Sequence, residues 1–349
     1  MSSIIRRPSL GPHVRGLKAK ALPRDKAIAL AYANTPEEYL NILRTTRYSI
    51  TLDKLTRETL PDLRKQIIEV YMNDVREIYL GSPSDGREVI KQHLKRFEYD
   101  NIEYIVTAIR AGKNPEDYIL LEPLEFTGRR YVVTSLLGAK SVDEVGERLR
   151  ALRHPAADAF ALMQKYGYDK STIFIDRQWI IDYLDFLRKI KDKSLERLIE
   201  TLAAYFNISL AVRAHLWGLS PEEVSELSLG APTSSVKAVL DAVVRGEIAR
   251  ALEAISALSP WGSVISSLVS EEPTFERLSI ALDNAYPAIM WRMASTCIIE
   301  CSEFALGSLL AALEALRAEA MLVIRAAAMV VEGVSAEKRR DYFTPLTLI

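Results

Sequence analysis

Asn207-Ile-Ser-Leu-Ala-Val-Arg213, running on to Gly218 and then to Ser220-Pro-Glu-Glu-Val224, is the stretch whose reading decides the fold. It spells an apolar helical run, a glycine stop, and a new helix start with proline at the first position and acids in the first turn. The phrase is said three times. An earlier copy reads Asp100-Asn-Ile-Glu103, then Arg110, then Asn114-Pro-Glu-Asp-Tyr118. A later one reads Glu319-Ala-Met-Leu-Val-Ile-Arg325, then Gly333-Val-Ser-Ala-Glu337. Pro115 and Pro221 are 106 residues apart (221 − 115), and Gly218 and Gly333 are 115 apart (333 − 218). The first copy reads as one residue shorter, with Lys113 where the glycine would fall. A period of about one hundred residues is too long for a solenoid unit, so the sequence predicts three homologous helical domains in one chain. Their expected bounds are 1–128 (with a basic lead), 129–235 and 236–349.

A second phrase keeps the same step. Thr35-Pro-Glu-Glu-Tyr-Leu-Asn-Ile-Leu43 lies 106 residues before Ser141-Val-Asp-Glu-Val-Gly-Glu-Arg-Leu149 (141 − 35), and Glu247 to Ile255 is a fainter echo. Each strong copy opens on a hydroxyl cap followed by acids.

Between these anchors the chain reads as helix throughout. A short basic helix is expected over His13–Leu22. A long helix after Pro61 (Leu63, Ile67, Val70, Tyr71, Val75, Ile78) is expected to turn at Gly81–Gly86 and return along Ile90, Leu94, Phe97, Ile102, Ile105 and Ile109 as an antiparallel hairpin. A second hairpin is expected from Trp179–Ile190 and Leu195–Leu216. The turn-rich Gly230–Ser235 stretch reads as a linker, and two alanine-rich helices end the chain. Only Tyr131-Val-Val133 and Thr172-Ile-Phe-Ile175 have strand character. The expected class is all-α.

With 349 residues, nearly half of them hydrophobic, the chain has material for more than one packed core. A net charge of −1 speaks against a generic nucleic-acid binder. Basic charge is concentrated at the start, where Arg6, Arg7, Arg15, Lys18, Lys20, Arg24 and Lys26 face Asp25 alone. Two cysteines argue against a disulfide scaffold. No apolar run of spanning length is written, since Glu314, Arg317, Glu319 and Arg325 interrupt the richest stretch; a soluble or peripheral protein is expected.

Chemistry is sought and not found. The loop Gly81-Ser-Pro-Ser-Asp-Gly86 has phosphate-loop glycines but no lysine or following Ser/Thr, and it follows a helix. Cys297 and Cys301, with Glu300 and Glu303 nearby, lack the further ligands that zinc would want, and read as buried small apolar residues. His13, His93, His154 and His215 are scattered, and His93 and His215 read as packing or surface residues. Asn207-Ile-Ser209 is a sequon without a secretory context. No catalytic site, metal or cofactor is expected.

On these phrases the chain resembles the C subunit of the archaeal A-type and bacterial V/A-type ATPases, whose vacuolar relative is the d subunit. His13-Val-Arg-Gly-Leu-Lys-Ala-Lys20 is similar to that family's opening, and Asn207 to Val224 follows its Asn, Arg and Gly-Leu-Ser-Glu-Glu pattern. Leu322 stands where the family often has Asn. The resemblance implies a funnel of three related domains around a pseudo-threefold axis. It also implies a non-catalytic rotor component on the cytoplasmic face of the cell membrane. Its expected partners are the membrane proteolipid ring and the central shaft built of the D and F subunits, with no nucleic acid. Its job would be to transmit torque for ion-driven ATP synthesis or ATP-driven ion transport. The expected partner contacts are the repeated turns (Asn114, Glu116; Ser220, Glu222; Ser335, Glu337) and the basic segment (Arg15, Lys18, Lys20, Arg24). The competing reading is a helical-repeat interaction scaffold, which would carry repeats of about 34–40 residues.

Overall fold

Every segment with a sustained helical apolar period is helical in the computed structural model, which describes residues 10–230, 232–258, 262–269, 273–301 and 305–343. Helices α1 (Leu10–Lys20), α2 (Arg24–Tyr32) and α3 (Pro36–Arg44) lead into α4 (Leu60–Gly81), α5 (Ser84–Leu94) and α6 (Arg96–Arg110). Then come α7 (Glu122–Thr127), α8 (Arg130–Leu136), α9 (Val142–Ala151) and α10 (Ala157–Tyr166), followed by the long pair α11 (Ser171–Lys189) and α12 (Lys193–Leu216). The last part repeats that order, with α13 (Pro221–Leu227), α14 (Ser234–Val244), α15 (Ile248–Ser256) and α16 (Gly262–Val269) before the long pair α17 (Phe275–Glu300) and α18 (Leu306–Val331). Helix α19 (Ala336–Phe343) closes the described chain, which is all-α with no strand among the described residues.

The two capped starts of the second phrase are in place. Thr35 Oγ1 accepts the Glu38 N–H at 3.1 Å, and Ser141 Oγ accepts that of Glu144 at 3.2 Å. Three expectations need correction. The return along Ile90–Ile109 is two helices, because the chain breaks at Lys95 between α5 and α6. Tyr131-Val-Val133 and Thr172-Ile-Phe-Ile175 lie inside α8 and α11, so tertiary packing overrides their β-branched preference. The glycine of the first copy is Gly112, not Lys113, and Asn101 and Gly112 are spaced as Asn207 and Gly218 are.

The chain leaves α6, α12 and α18 by one and the same turn. Gly112, Gly218 and Gly333 have φ of 64°, 70° and 74°, the left-handed region open to glycine. Each glycine N–H donates three residues back, to Ile109, His215 or Val330. The next N–H donates five back, to Ala108, Ala214 or Met329. These two bonds close a Schellman cap at all three ends. In the first two copies an asparagine then fixes the chain beyond the turn: Asn101 bonds both the N–H and the carbonyl of Leu120, and Asn207 accepts from the N–H of Leu229 at 2.7 Å. Leu322 has no polar atom to do the same.

Helix α18 is the core of the molecule. Among its 26 residues only Arg325 is exposed, and its alanines sit against α17 at close approach. Helices α1, α3, α4 and α5, from the other end of the chain, pack on it as well. The hairpins also engage one another in order. α11 packs on α6, α17 packs on α12, and α4 packs on α18, so the contacts close on themselves.

Two buried carboxylates mark matching places in this closure. Glu98 accepts from Arg129 (2.7 Å at Nη2) and from the His154 Nε2–H, while His154 Nδ1 accepts the Ala156 N–H. Glu319 accepts from the Leu22 N–H at 2.8 Å and the Tyr48 hydroxyl at 3.0 Å. Each glutamate stands 14 residues before its turn glycine (112 − 98; 333 − 319), and Tyr48 precedes His154 by 106 (154 − 48). His154, in the loop between α9 and α10, is thus a buried latch between segments.

Candidate functional site: a cleft between three helices

The three helices that end in the Schellman turns line one cleft of about 510 Å³. Arg96, Asp100, Glu103, Tyr104 and Thr107 of α6 face Tyr205, Phe206, Ser209 and Arg213 of α12. Arg317, Met321, Leu322 and Arg325 of α18 complete the ring, with Asp176 of α11 and Asp283 and Tyr286 of α17 between them. Residues at i, i+3, i+4 and i+7 of each helix share one face, which is why Asp100, Glu103 and Thr107 appear together.

The cleft has a floor and a mouth. Arg96 at the start of α6 and Arg317 midway along α18 retain 13 % and 10 % side-chain exposure; towards the turns, Arg325 and Asp283 reach 46 % and 41 %. The cleft therefore opens at the end where Gly112, Gly218 and Gly333 lie. Pro287 within α17 lacks the N–H that would bond the Asp283 carbonyl, loosening that helix at the mouth.

The floor is a network of ion pairs that joins α6, α11, α12 and α18. Asp176 takes Arg96 Nη2 at 2.5 Å and Arg213 Nη1 at 2.8 Å. Arg96 Nε lies 2.7 Å from Asp100, which also meets Arg317 Nη1 at 3.4 Å. Arg317 Nε lies 3.7 Å from Glu314, which is fully buried and bonds His93 Nδ1 at 2.9 Å; the Tyr71 hydroxyl is 2.5 Å from His93 Nε2. Burial alone would raise the Asp176 carboxyl, but Arg96 and Arg213 outweigh it and hold it at about 2. Burial likewise opposes ionisation of Glu314, and His93 and Arg317 bring it down to about 2. Both carboxylates are ionised at neutral pH. The arrangement ties α6, α11, α12 and α18 to one another.

The residues expected to meet partners sit elsewhere. Asn114 Oδ1 caps a 3₁₀ turn at Pro115–Tyr118 by accepting from Glu116 N–H, and Glu116 is exposed. Ser220 and Glu223 form a reciprocal capping box (3.3 and 2.7 Å), with Glu222 exposed beside it. Ser335 Oγ accepts the Lys338 N–H at 3.4 Å, and Glu337 is exposed. All three groups follow the turns at the mouth end. Of the basic segment, Arg15, Lys18 and Arg24 are exposed on α1 and α2, whereas Lys20 is bound to Asp74 (2.8 Å) and Glu77 (3.0 Å) of α4. Arg6 and Arg7 lie outside the described residues.

Sequence reasoning missed the cleft. Its charged residues come from five helices, and the signal was their position: arginines and acids standing inside otherwise apolar stripes, as at Arg96, Arg213 and Arg317. His93, expected as a packing or surface residue, is a buried member of the floor network. Cys297 is buried, with burial pushing its thiol up to about 12, whereas Cys301 is exposed, against the expectation of two buried cysteines; Glu303 lies outside the described residues. Among the described residues there is no cluster that could hold a metal ion, and no helix is long and apolar enough to cross a membrane.

The chain is similar to the C subunit of the A-type ATP synthase of Methanocaldococcus jannaschii, 26 % identical over 226 residues, 61 % of this chain and 55 % of that protein. It is similar to the same component of Pyrococcus horikoshii at 23 % identity, over 67 % of this chain and 63 % of that one. With that of Thermococcus kodakarensis it shares 22 % identity over 78 % of this chain and 80 % of that one. The first two matches span about 55–63 % of the relatives' length. One family description fits residues 11–342, taking in all three turns, both buried latches and the cleft they enclose: the chain belongs to the ATP synthase (C/AC39) subunit family.

Proposed function

We propose that this protein is a non-catalytic rotor component of an A-type or V-type ATP synthase. In this reading it joins the membrane proteolipid ring to the central shaft of the D and F subunits and passes torque between them. The observation that carries the reading is the cleft, lined at matching positions by three helices that end in one turn. A repeated, roughly rotational face suits an adaptor between a ring of identical subunits and a single shaft. We take the three units to be related by a pseudo-threefold axis running through the cleft. The mouth, rimmed by Asn114–Tyr118, Ser220–Val224 and Ser335–Arg339, receives the foot of the shaft; the opposite end, where α4, α11 and α17 finish, faces the ring. The floor network supports this, because ion pairs across α6, α11, α12 and α18 resist shear between units.

The basic segment fits the ring end. His13 of α1 packs against Gly81, at the end of α4 away from the mouth, which brings Arg15 and Lys18 to that side. There they would meet acidic loops of the ring or anionic headgroups.

Two binding measurements test the reading. Purified protein is titrated with the D–F shaft and, separately, with the detergent-solubilised proteolipid ring. Binding to both, at 1:1 with the shaft, is the expected result, whereas binding to neither leaves only a helical scaffold. Replacing Arg15, Lys18 and Arg24 by Glu should weaken the ring complex at low salt and spare the shaft complex. An unchanged ring affinity removes the assignment of the basic segment.

A further inference from the structure

Glu103 is the acid of the cleft that the network leaves out. Asp176 is shared by Arg96 and Arg213, Asp100 by Arg96 and Arg317, and Asp283 lies 3.9 Å from Arg325. Glu103, one helical turn nearer the mouth than Asp100 and half-buried in the cleft wall, makes neither a side-chain hydrogen bond nor an ion pair with any described residue. A half-buried carboxyl that lines a cleft and has no partner on its own chain can take a donor from outside.

We propose that the cleft seats one basic side chain, lysine or arginine, carried on the inserted end of the shaft, with Glu103 as its counter-ion. The inference rests on the rotor-adaptor reading. The fit follows from helix geometry. Thr107 stands exposed at the mouth, and Glu103 lies four residues deeper, about 6 Å of helix rise, which is the reach of an extended lysine or arginine stem. Tyr104, Tyr205 and Tyr286 line the walls along that path. A pair formed in so enclosed a place is stronger than one on the rim and fixes orientation, which a torque-bearing joint needs.

The groups facing Glu103 also give the joint a proton signature. Burial, then Asp176 of α11 and Asp100 of α6, push its carboxyl up to about 8, against the pull of Arg96 and of Arg213 of α12. Asp283 and Arg325, from α17 and α18, hold each other at the mouth. At pH 7 Glu103 is therefore mostly protonated, and pairing with an incoming cation expels that proton.

Calorimetric titration of the purified chain with purified D–F shaft at pH 7, in two buffers of different ionisation enthalpy, reads the expelled proton directly. The wild type should release close to one proton per complex, about the protonated fraction set by an ionisation near 8. E103Q should release none and bind at least about tenfold more weakly. Either a wild-type complex that forms without proton release, or an E103Q protein that binds as tightly as wild type, overturns the assignment of Glu103. Failure of the wild type to bind the shaft at all overturns instead the adaptor reading beneath it.

Discussion

Glu314 shows what a single side chain carries in this molecule. Fully buried and bonded to His93, it also faces Arg317, so Glu314→Ala leaves the Arg317 charge and the His93 ring nitrogen without this partner and should cost about 3–5 kcal/mol in denaturant unfolding. Tyr71→Phe removes only one bond at the far side of His93 and should cost nearer to about 1 kcal/mol. Acid provides a second check. Glu314 and Asp176 titrate near 2 in the folded chain, below their ordinary 4.5 and 3.8. Depressed carboxylates contribute stability that is whole above the ordinary values and is lost as pH falls from there towards 2, so the melting temperature should drop steeply over that window. Glu103 has the opposite sign: raised to about 8, it withdraws stability as pH climbs from its ordinary 4.5 through that value. The melting temperature of the wild type should fall between about pH 5 and pH 9 more than that of E103Q. None of these roles was legible in sequence, because a charged residue inside an apolar stripe looks alike whether it turns to solvent or into a cleft; only the facing helices decide, and they lie up to 221 residues away (314 − 93).

At the scale of elements, the turns and caps were the legible part. Gly218, Ser220 and the run between them declare their conformation by composition alone, and the hydrogen bonds agree. Ser220→Ala, which opens the capping box of α13, should cost about 1 kcal/mol. Gly218→Ala meets no atom within 4 Å, so its cost is the left-handed backbone alone, about 1–2 kcal/mol. Gly307→Ala should cost more than either. There a Cβ would drive into the backbone carbonyl of Ser194, where the starts of α18 and α12 touch and where the Gly307 N–H already bonds Ser194 Oγ at 2.9 Å. Chemical denaturation of the three variants ranks them, and a Gly307→Ala protein as stable as Gly218→Ala would show that the two helix starts are free to separate. Less legible was the break at Lys95. The apolar positions keep helical spacing straight across it, so periodicity sees one helix where the chain makes two.

For the whole molecule, the order of the helices was written in the sequence and the closure of the hairpins on one another was not. The pairing of Tyr48 with Glu319, or of α4 with α18, leaves no local trace, since neither partner's neighbours hint at the other. The closure predicts that residues 236–349 expressed alone will not reach a native core, because α18 would lose α1, α3, α4, α5 and α12 and expose its alanine-rich and leucine-rich faces. That fragment should keep helical circular dichroism yet bind a hydrophobic dye and melt without a sharp transition. A sharp melt with no dye binding would mean that the third repeat folds unaided. The same wrapping of α18 sets the timetable of biosynthesis. The helix at the centre is made after the helices that cover it: α4 starts 246 residues before it (306 − 60), and α1 and α3 start earlier still. At translation speeds of about 5–20 residues per second they wait for tens of seconds with their apolar sides open. A newborn chain of this kind depends on holding chaperones for that interval, and a stop codon placed anywhere before α18 should yield a product that is captured and degraded rather than a shorter working part.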